Sequence, residues 1–128
     1  MALKVNTTGK RPGIFVVAPI GSIDGAGHAI FQDSVTSVLN QNPDVILFDM
    51  EHTDYINSMG IRVLIKTKKA MKQRGGKIVF INLQPQIKKV FDILNALPSL
   101  RVFANIQELD SYLDAMQTIS TSSSNGDV

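Results

Sequence analysis

The stretch that decides the fold reads Asp49-Met50-Glu51-His52-Thr53-Asp54-Tyr55-Ile56-Asn57-Ser58-Met59-Gly60-Ile61-Arg62-Val63-Leu64. An apolar run ends where the stretch begins, polar residues follow, and an amphipathic segment starts near its end. This order predicts a buried strand, a turn and a helix that begins at about Ser58. A hydroxyl at such a junction has three possible roles, because it can cap the helix, act as a nucleophile or accept a phosphate.

Composition limits the class of protein. The chain has 128 residues, 44% hydrophobic and 19% charged, which is usual for one globular domain. A net charge of +2 is too small to indicate a nucleic-acid partner, and the absence of cysteine excludes disulfides and thiolate metal sites. The start of the chain lacks a signal peptide, and no apolar run approaches the ~18 residues of a membrane span. We therefore expect a soluble cytoplasmic protein that binds neither nucleic acid nor membranes.

Apolar runs and turn residues divide the chain into strands and helices. The predicted strands are Leu3 to Thr8, Ile14 to Ala18, Val45 to Phe48, Lys77 to Asn82 and a short one at Leu100 to Phe103. The predicted helices run from about Ala26 to Gln41, Ser58 to Arg74, Pro85 to Leu97 and Ile106 to Met116. The residues from 19 to 25 are expected to form a loop. The Pro-Gly pair at positions 12 and 13 predicts a hairpin, so the first two strands should be antiparallel.

This order of elements predicts an α/β fold for one domain, residues 3–117. Its sheet should be mostly parallel, with four to five strands, one antiparallel edge strand and about four covering helices. The serine-rich tail, residues 118–128, has nothing to bury and is predicted to be disordered. Three apolar stripes are assigned to the core: Ala29, Ile30, Val35, Val38 and Leu39; Ile87, Val90, Phe91 and Leu94; and Leu109, Tyr112, Leu113 and Met116.

Enzymatic and metal sites find little support in the sequence. His28 and His52 lie in different elements without a recognised ligand spacing, so we predict no metal. A nucleophile elbow needs glycine where Ile56 stands, and no histidine follows His52 to act as a base. The glycines between positions 21 and 27 fit neither phosphate-loop pattern. We therefore predict a non-enzyme without catalytic residues or cofactors, and a small nucleotide-binding or hydrolytic enzyme is the disfavoured alternative.

Two aspartates near predicted strand ends suggest one further class of protein, the response regulators. Asp24 and Asp49 are candidate acids of a response regulator, which also needs a lysine on a later strand. The strand that starts at Lys77 instead ends in Asn82, so this interpretation is weak.

Phosphate acceptance by Ser58 remains. A phosphate on the first turn of a helix meets unpaired backbone N–H groups and the positive end of the helix dipole, so the fold tolerates it. It adds roughly −1.5 to −2 charges. Helix capping by Asn57 or Ser58 is compatible with this role. The surface would change sign while the domain keeps its shape, which favours a binding switch over a folding switch.

The segment Asn57-Ser58-Met59-Gly60-Ile61-Arg62-Val63-Leu64 resembles the Asp-Ser-Ser-Gly-Leu-Gly-Val-Leu signature of STAS domains, the anti-sigma factor antagonist family. Four further segments resemble that family in the same order. They are Gly21 to Asp24, Val45 to Met50, Gly75 to Val79 and Leu83 to Phe91. Together the five segments extend over essentially the whole predicted domain.

The resemblance implies a partner-switching protein of bacterial signalling and transcription regulation. The unphosphorylated form would bind a serine kinase/anti-sigma factor of the GHKL ATPase type, and phosphorylation of Ser58 would break that complex. A metal-dependent serine phosphatase would restore it, and the domain would be a monomer or weak dimer. The implied partner-binding residues are Asp24, Asn57, Met59, Gly60 and Arg62.

The chain departs from the family signature at three positions. Asn57 replaces aspartate, Met59 replaces serine and Arg62 replaces glycine. Asn57 keeps a capping side chain, Met59 is either a partner contact or a core residue, and Arg62 could pair with a phosphate. The basic residues of this helix form a solvated face or meet an acidic partner. The departures leave an alternative open, a STAS scaffold subunit that is not phosphorylated.

Overall fold

The computed structural model describes residues 3–96, 107–108, 110–115 and 117. Its elements follow in the order β1 (Lys4–Arg11), β2 (Ile14–Ile23), α1 (His28–Leu39), β3 (Val45–Asp49), β4 (Thr53–Ile56), α2 (Ser58–Gln73), β5 (Lys77–Ile81) and α3 (Pro85–Ala96). Residues 107–108, 110–115 and 117 are also helical. We call them the C-terminal helical segment.

The five strands form one mixed sheet. Neighbours follow in the order β1-β2-β3-β5, and β4 pairs with β2 outside this row. β1 is antiparallel to β2, whereas the other pairs are parallel. The helices α1 and α2 form the long crossovers that parallel neighbours require. The predicted α/β architecture, with one antiparallel edge strand, is confirmed.

A row of phenylalanines ties the helices to one face of the sheet. The ring centroid of Phe48 on β3 lies 6.0 Å from Phe31 of α1 and 5.3 Å from Phe80 of β5. Phe80 lies 4.9 Å from Phe91 of α3. Aromatic pairs at these distances add to the free energy that burial alone supplies. The row therefore joins α1, β3, β5 and α3 in one core.

Strand β2 is longer than predicted, and strand β4 was missed. The expected loop from 19 to 25 is wrong for residues 19–23, which belong to β2. β2 pairs with β3 as far as Val17, and beyond that point β4 becomes its partner from Gly21 to Ile23. The hydroxyl of Thr53 on β4 also donates to the carbonyl oxygen of Pro19 at 2.9 Å. A second partner strand thus keeps β2 extended past a proline that predicts a strand end.

The inward face of α1 differs from the prediction in its first turn, whereas Val35 and Val38 are buried as predicted. Ala29 and Ile30 are exposed, Ile30 to 42%, whereas Phe31 is fully buried. Phe31, Val35 and Val38 lie on one face of the helix at spacings of four and three residues, and that face contacts Phe48. The predicted assignment of Ala29 and Ile30 to the core is therefore wrong.

The last two predicted elements and the tail are only partly within the described residues. Leu113 of the C-terminal helical segment is buried as predicted, but Tyr112 is 38% exposed and does not belong to the core. The predicted strand from Leu100 to Phe103, Leu109, Met116 and the tail 118–128 lie outside the described residues. The domain limits 3–117 stay a prediction.

We expect Phe48→Ala to lower the free energy of unfolding by about 3–5 kcal/mol, because it removes the ring between Phe31 and Phe80. Phe48→Leu keeps most of the volume and should lose less. Urea denaturation followed by circular dichroism measures both. Ile30→Ala is the matched control at an exposed site, and equal losses at positions 30 and 48 would contradict the proposed core.

Candidate phosphoacceptor site

Asn57 caps helix α2. Its backbone is extended, with φ −99° and ψ −177°, and its side-chain oxygen accepts a hydrogen bond from the Gly60 N–H at 3.0 Å. Its own N–H donates to the carbonyl oxygen of Ile23 at 2.9 Å, which fixes the junction to β2. Asn57 is only 8% exposed. The capping role that the sequence left open between Asn57 and Ser58 therefore belongs to Asn57.

Ser58 is the first residue of α2, as predicted. Its side chain is 0% exposed, and its hydroxyl has no hydrogen-bond partner in the part of the chain that the structure describes. Its backbone N–H donates to Oδ1 of Asp110, in the C-terminal helical segment, at 2.9 Å. The hydroxyl that the sequence analysis assigned to phosphate acceptance is thus covered.

The C-terminal helical segment makes two further attachments at this junction. The side-chain amide of Gln117 accepts from the Ile56 N–H at 3.1 Å and donates to the Ile56 carbonyl oxygen at 2.9 Å. The hydroxyl of Tyr55 donates to Asp114. Positions 110, 114 and 117 lie on one face of a helix, so a single face contacts three successive points of the junction.

Carboxylates lie around Tyr55, which precedes Ser58 closely in the chain. Burial raises the pKa of Tyr55 above its ordinary value, and the neighbouring carboxylates of Asp114, Asp110 and Asp24 raise it further. Asp24 also accepts hydrogen bonds from the N–H groups of Ala26 at 3.1 Å and Gly27 at 2.9 Å. Asp24 therefore shapes the turn before α1 and contributes negative potential at the candidate site.

Gly60 lets α2 approach the strands closely. A Cβ at this position would lie 2.6 Å from Cγ2 of Ile23 and 2.7 Å from Cγ1 of Ile56. Both isoleucines are fully buried, so neither has free space to move into. Met59 beside it is half-buried. Gly60 is therefore a packing requirement, whatever part it plays in partner binding.

Helix α2 carries a basic face. Five cationic residues are exposed along it: Arg62, Lys66, Lys68, Lys69 and Lys72. The helix has no acidic residue, and the ion pairs found among the described residues, Glu51–His52 and Lys88–Asp92, do not involve it. Ile65 lies within this face and is 48% exposed. Exposure at these five positions fits both predicted roles, a solvated face and a contact with an acidic partner.

The turn between β3 and β4 is held by a structural hydrogen-bond network. Asp49 accepts from the Glu51 N–H at 3.2 Å and from the Asn82 side chain at 3.1 Å. The side-chain amide of Gln84 donates to the Glu51 carbonyl oxygen at 2.8 Å. Asp49 therefore holds the backbone of this turn in place.

No cluster of three or more metal-binding side chains occurs in the ranges that the structure describes.

The structure thus gathers Asn57, Ser58 and Gly60 at one junction, with Asp24 close by and Arg62 exposed on the following turn. Sequence reasoning missed Tyr55, Asp110, Asp114 and Gln117. Their contacts join residues 52 to 61 positions apart, and no local pattern of residues indicates such pairs.

Comparison with known proteins places this junction in a family. A STAS domain model matches residues 7–109, which include β4, the cap and α2. The chain belongs to the STAS domain family. The matched range covers most of the predicted domain, and the resemblance inferred from the sequence segments is confirmed.

Relatives of this STAS domain are regulators by name. BtrV of Bordetella bronchiseptica, a protein named as an anti-sigma factor antagonist, is 26% identical over 102 residues, which are 80% of this chain and 87% of BtrV. The solved structure of the unphosphorylated anti-sigma factor antagonist SpoIIAA has a TM-score of 0.61 at 15% identity and covers 70% of this chain and 83% of its own. An antagonist from Mycobacterium paratuberculosis has the same TM-score at 17% identity, with coverages of 77% and 88%. The solved structures support the fold.

Among the residues that the structure describes, no helix combines the length and apolar character that a bilayer span needs.

We expect Gly60→Ala to lower the free energy of unfolding by about 1–3 kcal/mol, because the new methyl group overlaps Ile23 and Ile56. The gain of up to about 1 kcal/mol from better helix propensity offsets only part of this loss. Thermal and urea denaturation measure the net effect. Gly25→Ala is the matched control, since a Cβ there meets nothing within 4 Å. A Gly60→Ala domain as stable as the wild type would contradict the close approach.

Asn57→Ala should cost about 1 kcal/mol of stability, because the Gly60 N–H loses its acceptor. Asn57→Asp keeps a capping oxygen and restores the residue type of the family signature, so its stability should stay near that of the wild type. Urea denaturation compares the two variants. An equal loss in both would show that the cap contributes little.

Proposed function

We propose that this STAS domain is a partner-switching anti-sigma factor antagonist. In the unphosphorylated state it binds a serine kinase/anti-sigma factor of the GHKL ATPase type, and phosphorylation of Ser58 by that kinase releases it. A metal-dependent serine phosphatase returns it to the binding state. The domain acts in the bacterial cytoplasm as a monomer or weak dimer, without a cofactor.

The position of Ser58 carries this proposal. Ser58 is the first residue of a sixteen-residue helix whose cap is supplied by its neighbour Asn57. A phosphate on Ser58 therefore leaves the cap in place, and the helix dipole favours its charge. Relatives of this chain bear the name anti-sigma factor antagonist, and SpoIIAA has been solved in unphosphorylated and phosphorylated forms. A phosphorylated form is thus known for a protein of this fold.

The electrostatics of the surface suggest how the switch works. The basic face of α2 starts at Arg62, one turn after Ser58, and an acidic partner surface would complement it. A phosphate beside that face would offset part of its positive charge and add a negative charge that an acidic partner surface cannot pair. Changing a partner from about 99% bound to about 99% free requires roughly 5.5 kcal/mol of differential affinity. An unpaired buried charge costs about 3–5 kcal/mol and supplies most of this difference.

One observation favours a second candidate, a STAS scaffold subunit that is not phosphorylated. The Ser58 side chain is fully buried, so a kinase cannot reach its hydroxyl in this conformation. Mass spectrometry of the domain purified together with the serine kinase from its own genome separates the candidates. Phosphate on Ser58 supports the switch, and unmodified serine and threonine side chains support the scaffold.

We expect Ser58→Asp to weaken kinase binding by about 100-fold or more, because the carboxylate places an unpaired charge in the interface. Ser58→Ala should bind like the wild type, since the hydroxyl has no hydrogen-bond partner among the described residues and alanine keeps the site apolar. Calorimetry with the purified kinase measures both affinities. If Ser58→Asp binds as tightly as Ser58→Ala, the proposed switch is wrong.

A further inference from the structure

We propose that the C-terminal helical segment is a built-in cover of the phosphoacceptor, so that its docking and the phosphorylation of Ser58 exclude each other. The claim that docking and phosphorylation exclude each other rests on the proposed function. The claim that the segment is a detachable cover concerns the domain by itself.

The Ser58 hydroxyl must become accessible before a kinase can phosphorylate it. The Ser58 side chain is 0% exposed and its hydroxyl makes no hydrogen bond within the described residues. Phosphoryl transfer needs the hydroxyl in line with the donor phosphate, so the site must open first. The backbone that leads into the hydroxyl is bonded to the C-terminal helical segment, through Gln117 at Ile56 and Asp110 at the Ser58 N–H. Release of this segment would therefore free the backbone that carries the hydroxyl.

A phosphate on Ser58 and the Asp110 carboxylate would compete for the same backbone N–H donors. The N-terminus of a helix offers free N–H groups and a positive dipole end to an anion. Asp110 already fills this position with a carboxylate, which accepts from the Ser58 N–H. A phosphate on Ser58 would need the same environment. It would also bring roughly two negative charges next to Asp110, with Asp114 one helical turn further along. The docked segment and the phosphate therefore repel each other.

Described residues of the segment attach to the junction through hydrogen bonds. These residues are Asp110, Asp114 and Gln117, and Leu113 of the same segment is buried in the hydrophobic core. A local opening needs less free energy than global unfolding, so such an attachment can open while the core stays folded. Because a coupling free energy is reciprocal, a docked segment that disfavours the phosphorylated state is itself displaced by phosphorylation.

The experiment measures opening without a kinase. Amide hydrogen exchange is followed by NMR in the wild type, Ser58→Ala and Ser58→Asp. In Ser58→Asp we expect the amides of Ile56, residue 58 and residues 110–115 to exchange about tenfold faster or more, as a local opening demands. The amides of β3 should keep their wild-type rates, and Ser58→Ala should match the wild type throughout. Unchanged exchange at residues 110–115, or an equal increase in β3, would overturn the cover.

A second variant tests the link to phosphorylation. Gln117→Ala removes both bonds to Ile56 and leaves the acidic residues and the implied partner-binding residues in place. The serine kinase should modify Ser58 several-fold faster in this variant than in the wild type. The same exchange measurement on the phosphorylated wild type should show the segment released.

The hydrogen-exchange measurement and the kinase assay distinguish the proposed cover from the proposed switch. If Ser58→Asp releases the segment but the kinase modifies neither wild type nor Gln117→Ala, the cover stands and the proposed switch fails. If the kinase modifies Ser58 at the same rate in both, and residues 110–115 keep their exchange rates afterwards, the switch stands and the cover is wrong.

Discussion

The hydrogen bonds of Asn57 hold together the parts of the fold on which the candidate site depends. Its N–H joins the end of β4 to Ile23 at the end of β2, and its side chain closes the first turn of α2 at Gly60. One residue thus sets where the sheet ends and where the helix begins. The family signature has aspartate here, and the asparagine keeps the one property that the geometry uses, a side-chain oxygen that accepts from the Gly60 N–H.

Much of the fold was predictable because its signals are local. The limits of α2 follow from a capping residue, a hydrophobic period and a closing glycine, and Gly75 has a φ of 75° as a helix end requires. Strand β4 gave no such signal. Its residues, Thr53 to Ile56, are mostly polar, and they form a strand because β2 extends past the end of its pairing with β3. On α1 the helical period missed Phe31, whose ring packs against Phe48 of a strand that follows later in the chain.

The residues of the site also fall into two groups, those that local sequence signals reveal and those that only the structure reveals. Ser58, Asn57 and Gly60 could be found from the sequence because they adjoin one another at the start of a helix. The acidic side of the site could not, because Asp110 and Asp114 reach it from the other end of the chain. The structure therefore adds the information that decides access. Ser58, the candidate phosphoacceptor, has the carboxylate of Asp110 on its N–H, and the basic face of α2 begins one turn later at Arg62.

The packing around Gly60 has an evolutionary consequence. Three residues, Ile23, Ile56 and Gly60, share a volume that has no room for one more methyl group. A lineage can place alanine at position 60 only if a smaller residue, such as valine, appears at position 23 or 56. Sequences related to this chain are therefore expected to covary at these three positions. The combination of residues at these three positions would indicate how closely α2 packs against β2 and β4.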